Sequence, residues 1–472
     1  MNILLIGDDP KIVGGVTNYT RPLAQGLQKA GVKVHYLHTV ALNTKYDFKA
    51  MRIETRQEDG VEIHSLINGR ALLFNYDQLD VDTGEWFDET FKAFLSNKNI
   101  NLIHINEIFG LSSHLISVAK GLGIKVITTV HEYWWLCPHR VMVDQDRAVC
   151  DGPNNPQKCA QCVTTKFPNY NSSKEKFKYQ LRTTFPTQYK KLTDYIKSKK
   201  KQHYSLVDLS SPRPSPLNPQ APGLVIALQK RLYKNIEALN HCDKIICVSK
   251  DVKRILTTYG VKPELCTVDH IGSMIADKKW ELRNNLTPKH QINFGFIGGV
   301  TYYKGVHLIV QAYIALPEEV KDRARVNIYG GGDPGYFMSM QNLINSEGSN
   351  LDRKNIHFHG KYSPTQLTDI GSSIDISILP SMCADTAPQT IFESFSLGIP
   401  IIAPNSGGFS DFVRHGVNGL IFNYGDPQSL SAAMLSLLEN PDQIIGFSKN
   451  IQKTKGMGEH VASMLALYKS FV

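Results

Sequence analysis

The chain has 472 residues, 42% hydrophobic and 20% charged, so it is too long for a single core and too apolar for wholesale disorder. No apolar run reaches the ~20 residues that cross a bilayer as a helix. The net charge of +9 is concentrated between Lys166 and Lys201, where eleven Lys/Arg stand against two acids and the remainder of the chain balances.

The opening MNILLIGDDP has no basic leader and reads as the first buried strand of a domain, not as a signal peptide. The eight cysteines are then expected as reduced thiols or metal ligands. Residues 1–39 form a strand (NILLI), a loop with Gly14 and Gly15, a helix with Tyr19, Leu23 and Leu27 on one face, and a strand (KVHYLHT). The loop suits a phosphate but lacks G-x-G-x-x-G, which argues against a nicotinamide-dependent oxidoreductase. A short strand (VEIHSL) and a polar stretch of open structure follow. Strand NLIHIN, a helix over 113–121 and strand KVITTV then lead to His131-Glu132. A histidine at the carboxyl end of such a strand points into the ligand crevice, the plainer alternative being a bond to a neighbouring loop.

Cys137, Cys150, Cys159 and Cys162 fall within 26 residues, the last two as C-x-x-C. Four thiolates can close a structural zinc site and order a loop too polar to fold on its own core. An iron–sulfur cluster uses the same ligands and is the lesser choice, and unconnected thiols are the alternative. In the basic segment 166–201, Phe177, Leu181, Phe185, Tyr189, Leu192 and Ile196 recur at helical spacing around Pro186. That pattern suits an anionic membrane surface, or a solvated helix face; no nucleic-acid motif accompanies it.

After a proline-rich loop and a helix from Leu224, strand KIICVS, helix KDVKRILTTYG and strand CTVDHIG close the first half. The polar stretch 276–290 is the linker candidate. Strand INFGFIGG, with Gly298 and Gly299, restarts the βα pattern and is followed by Lys304-Gly305. Strands RVNIYGGG, IHFHGKY and ISILP lead to the segment Leu379–Gly408. There Asp385 lies in a strand-end loop and Glu393 lies eight residues on, in a helix whose start offers amides to an anion.

These motifs, in this order, resemble the retaining, nucleotide-sugar-dependent glycosyltransferases of family 4. The residues that carry the likeness are the GGV loop, His131 with its following acid, KIICVSKDVKRIL, FIGGVTYYKG, IYGGG, D-x7-E and SLGIPIIAPNSGGFSDFVRHGVNGLIF. HEYWWLCPHR with the later cysteines resembles a branch bearing a cysteine-rich insertion. The resemblance implies the α/β GT-B fold, two Rossmann-like doubly wound domains facing across a cleft. Residues 1–275 would form the acceptor side, with an insertion at about 137–222 and the helix 456–472 rejoining it; 291–455 would bind the donor.

The roles it implies are ribose binding for Glu393, sugar contact for Asp385, and diphosphate neutralisation by Lys304 with amides near Thr390 and Ile391. Gly14 and Gly15 would let backbone approach the substrates, and His131 would touch sugar or acceptor. A UDP- or GDP-sugar donor, a saccharide or lipid-linked acceptor and no catalytic metal go with the same likeness; the missing leader and the basic segment add the expectation of a cytoplasmic location, peripheral at the membrane face. Two positions depart from the family: Asp385 replaces the usual Glu, and Gly299 replaces an Arg. They leave a non-catalytic sugar-nucleotide binder, or a 2-epimerase of the same fold, as alternatives.

Overall fold

A computed structural model describes residues 1–11, 14–39, 52–67, 85–108, 111–166, 206–210, 216–218, 222–277, 291–347 and 350–472, with a few isolated positions between 185 and 220. Two separate sheets organise it. The first contains β1 (Asn2–Ile6), β2 (Lys33–Thr39), β3 (Arg52–Glu58), β4 (Val61–Ile67), β5 (Leu102–Ile105), β6 (Lys125–Val130), β7 (Lys244–Cys247) and β8 (Cys266–Val268). Their order is β3-β4-β2-β1-β5-β6-β7-β8, parallel except for the β3/β4 hairpin. That hairpin turns at Asp59-Gly60, both with positive φ, and strand β3 is absent from the sequence reading. Its D-G signal was present but the flanking RIETRQE is too polar to read as a strand.

The second sheet contains β9 (Ile292–Ile297), β10 (Ala324–Tyr329), β11 (Ile356–Gly360), β12 (Ile376–Ile378), β13 (Ile401–Pro404) and β14 (Gly419–Phe422). Its order is β11-β10-β9-β12-β13-β14, all parallel. Central strands of both sheets are continuous apolar runs, as burial under helices on two faces requires. Each sheet has a topological switch point, between β1 and β5 and between β9 and β12, where open α/β sheets bind ligands.

The chain ends on its own beginning. Helix Met457–Lys469 packs against helix Gly15–Lys29, where Gly26 leaves room for Val461. Buried hydrogen bonds lock the contact: Tyr19 Oη to His460 Nε2 at 2.7 Å and His104 Nδ1 to Tyr468 Oη at 2.6 Å. In the segment read as an insertion on the first half, Val207 and Leu209 pack on the core of the second sheet, with Val207 N–H donating to Ser339 Oγ at 2.8 Å. Most of the basic segment 166–201 and the linker beyond 277 lie outside the described residues. Among the described residues no helix is long and apolar enough to cross a membrane.

Candidate active site

Lys304 and Asp385 follow β9 and β12, the two strands of the second switch point, and meet there. Lys304 Nζ lies 3.0 and 2.8 Å from the two Asp385 oxygens. Ser381 Oγ also donates to Asp385 Oδ2. Burial opposes the Lys304 charge, but Asp385 and the neighbouring Cys383 outweigh it and hold the ammonium above its ordinary range. Gly305 makes this approach possible. Its φ is +68°, and a Cβ there would stand 1.9 Å from the Pro380 carbonyl oxygen.

Helix Gln389–Ser396 starts beside this pair after Pro388. The Ile391 N–H donates to the Pro388 carbonyl at 3.0 Å and the Ile391 side chain is fully buried, so the amides at the helix start belong to Gln389 and Thr390. Glu393 lies one turn further on, half-buried, and desolvation pushes its carboxyl up to about 7. Tyr362 faces it. Gly299 has nothing within 4 Å of where a Cβ would stand.

The first sheet faces this rim directly. Thr386 Oγ1 donates to the His131 carbonyl at 2.6 Å, and Gln389 Nε2 donates to the Gly15 carbonyl at 2.7 Å. Gly14 is the extended N-cap of helix Gly15–Lys29. The His131 ring packs 4.5 Å from the Tyr19 ring, and burial together with His460 pushes its imidazole down to about 3. It is therefore neutral near pH 7, and its buried Nε2 has no hydrogen-bond partner among the described residues. Thr17 Oγ1 and both amide atoms of Asn106, at the first switch point, are likewise buried and unpartnered. Buried polar groups normally find partners, which makes these three residues candidates for ligand contacts.

Three acids stand two residues past three adjacent strands: Asp8 after β1, Glu107 after β5 and Glu132 after β6. Arg140, with φ +70°, bonds Glu107 at 2.6 Å and Glu132 at 2.8 Å. Desolvation raises Asp8 and Glu132 from the usual carboxylate range against the pull of Arg140. Sequence reading singled out neither Thr17, Asn106 nor Arg140. The repeated strand-x-acid ending (IGD, INE, VHE) was the available signal for the three acids.

The four cysteines come together around one small cavity of about 30 Å³. Burial, then the proximity of Cys137 and Cys150, pushes the Cys159 thiol up to about 12.

A profile of the family described as Glycosyl transferases group 1 matches residues 277–454, and one of Glycosyltransferase Family 4 matches residues 13–149; together they cover about two thirds of the chain. This chain belongs to the family 4 glycosyltransferases of GT-B fold. It is 24% identical over 205 residues to an uncharacterized glycosyltransferase of Methanocaldococcus jannaschii, covering 42% of this chain and 50% of that one. It is 26% identical over 156 residues to the D-inositol 3-phosphate glycosyltransferase of Corynebacterium urealyticum, covering 33% and 37%. The matched stretches thus span half or less of those relatives' own lengths.

Among solved structures, Anabaena HepE in complex with UDP superposes with a TM-score of 0.61 at 14% identity, covering all of both chains. Sucrose-phosphate synthase of Thermosynechococcus elongatus gives 0.60 at 16%, covering 99% and 98%. At these identities the likeness is one of fold.

Proposed function

We propose that this glycosyltransferase moves a hexose-type sugar, with retention, from a UDP- or GDP-sugar to a saccharide or lipid-linked acceptor in glycan synthesis. The carrying observation is the shared rim: Lys304, Asp385, the helix start at Gln389 and Glu393 lie on one side, with the unpartnered His131 Nε2 on the other. The departing diphosphate gathers charge on its β-phosphate, where an ammonium and helix-start amides are worth several kcal/mol. Glu393, as carboxylate, accepts from the ribose hydroxyls, and Asp385 accepts from the sugar. The leaving phosphate takes the acceptor's proton on the same face, so the mechanism needs neither a second carboxylate at glycosidase spacing nor a catalytic metal.

Neutral His131 is suited to bonding a hydroxyl, and Thr17 and Asn106 offer further hydroxyl partners on the acceptor side. The HepE complexes with UDP support a uridine donor by analogy. The basic segment motivates attachment at the cytoplasmic membrane face. Gly299, in place of an Arg, favours as second reading a sugar-nucleotide-binding protein without turnover.

A nucleotide panel tests class and base together. UDP or GDP should raise the melting temperature while NAD does nothing, and stabilisation by NAD alone would sink the transferase reading. Release of nucleotide from a bound donor, abolished in His131→Ala, separates the enzyme from the binder.

A further inference from the structure

We propose that Cys137, Cys150, Cys159 and Cys162 bind one zinc ion as four thiolates, and that this ion fastens the hairpin that reaches between the two sheets. The cysteines come from three local elements. Cys137 closes the turn after β6, its N–H donating to the Tyr133 carbonyl at 2.7 Å. Cys150 follows a small hairpin bridged at Val143 and Val149, and Cys159 and Cys162 lie on helix Pro156–Lys166. All four nonetheless line the same cavity of about 30 Å³.

Backbone groups of the same loop meet the sulfurs. Gly152 N–H points to Cys150 Sγ at 3.4 Å, and the Cys150 and Cys162 thiols donate to the Gly152 and Val143 carbonyls at 3.4 and 3.8 Å. Arg140, Met142 and Arg147 all hold positive φ in this one loop, a conformation that non-glycine residues keep only when their surroundings enforce it. The apolar cluster behind helix Pro156–Lys166 is small, built on Ala160, Val163, Leu224 and Leu228. An ion would supply the order that this core does not.

Four sulfurs complete a tetrahedral set by themselves; the His139 ring, also on the cavity wall, is bonded through Nε2 to the Cys162 carbonyl at 3.3 Å. Zinc binding releases four protons to the buffer and leaves the site with two net negative charges. Lys158, 3.3 Å from Asp144 and close to Cys150, stands beside them.

Among the described residues, the group of ligand atoms mutually within 4.8 Å is a different one: His35, Glu62 and His64. In that trio the atoms that face one another are already bonded, and His35 Nε2 is buried without a partner among the described residues. The two imidazoles bond each other at 3.0 Å, His64 bonds Thr55 at 2.8 Å, and Glu62 takes the Lys98 ammonium at 2.7 Å. The four sulfurs stand wider, around their cavity. Closing to Zn–S distances of ~2.3 Å would draw them inward into it.

The loop so fastened carries two arginines, Arg140 before the hairpin and Arg147 within it. Arg140 holds Glu107 and Glu132, while Arg147 stacks 4.6 Å over the Tyr302 ring, two residues before Lys304, and bonds Asp208 at 3.1 Å.

Metal analysis of the full chain, purified from zinc-supplemented medium without chelator, tests the site. One zinc per chain and negligible iron are expected. Cys150→Ser and Cys159→Ser should lower zinc to about a tenth or less, and Cys266→Ser should keep it. Because those variants can fail to fold, the wild-type chain stripped of zinc is also titrated with Co²⁺, which should give the sulfur-to-cobalt charge-transfer and strong visible bands of a tetrahedral thiolate site. A wild-type chain without zinc that gives no such cobalt spectrum overturns the proposal. So does zinc retained in both serine variants, or iron with visible absorption in its place. UDP-induced thermal shifts on the same samples keep failure here distinct from failure of the donor reading.

Discussion

Lys304→Met removes the ammonium proposed to face the diphosphate while keeping the apolar stem. Two quantities follow from the geometry. The Lys304–Asp385 pair is bidentate but only partly enclosed, with the side chains 39% and 17% exposed, so its loss should cost about 1–2 kcal/mol of stability. Removing one charged donor from a leaving oxyanion costs ~3–4 kcal/mol in the transition state, or roughly 10²–10³ in rate. Asp385→Asn separates the two roles. It frees the ammonium and removes a carboxylate from beside the proposed diphosphate site, a like-charge repulsion of about 1 kcal/mol after screening, or a fivefold tightening of UDP. Calorimetric titration with UDP and GDP, together with nucleotide release from the donor sugar, reads both effects. UDP affinity and turnover in Lys304→Met within twofold of wild type would refute the placement of the diphosphate at this lysine.

Glu393 titrates higher in the folded chain than in the unfolded one, so its contribution to stability is full below the ordinary carboxylate range and is lost as pH rises through about 7. The ribose contact proposed for Glu393 favours the carboxylate, so uridine affinity should rise between about pH 5.5 and 8, and Glu393→Gln should flatten that profile. Gly299→Arg meets no atom within 4 Å of its Cβ, so it should fold normally and tighten UDP by about tenfold through a charge-assisted bond, measured by the same titration. Gly305→Ala drives a Cβ onto the Pro380 carbonyl at positive φ; urea midpoint and UDP affinity should fall together, by ~1–2 kcal/mol or more in stability. Arg140→Ala removes the guanidinium from Glu107, whose side chain is 1% exposed, and should cost about 3 kcal/mol in urea unfolding.

What was legible in the sequence depended on how local the signal was. Apolar strands followed by glycine turns announce the two βα systems, and the order of NILLI, INFGFIGG and ISILP places the switch-point loops correctly. Contacts between distant segments were not legible. Lys304 and Asp385 were read as separate tools for phosphate and sugar, and only the fold shows them paired in the free protein. Ile391 was expected to offer an amide, but a one-turn tightening at Pro388 uses it. Arg140 carries no motif; its role rests on a left-handed backbone and on acids more than thirty residues upstream or in the preceding turn.

The lock between Tyr19 and His460, and between His104 and Tyr468, bears on how the chain is made. The first sheet is synthesised early, yet one face of its core stays uncovered until residues 457–469 have been translated. A nascent chain of, say, 300 residues therefore carries an unfinished first domain, and closing so long a loop is a slow, late event. Ribosome-stalled chains lengthened through the last helix should gain protease resistance in the first domain abruptly, at the length that frees His460 and Tyr468.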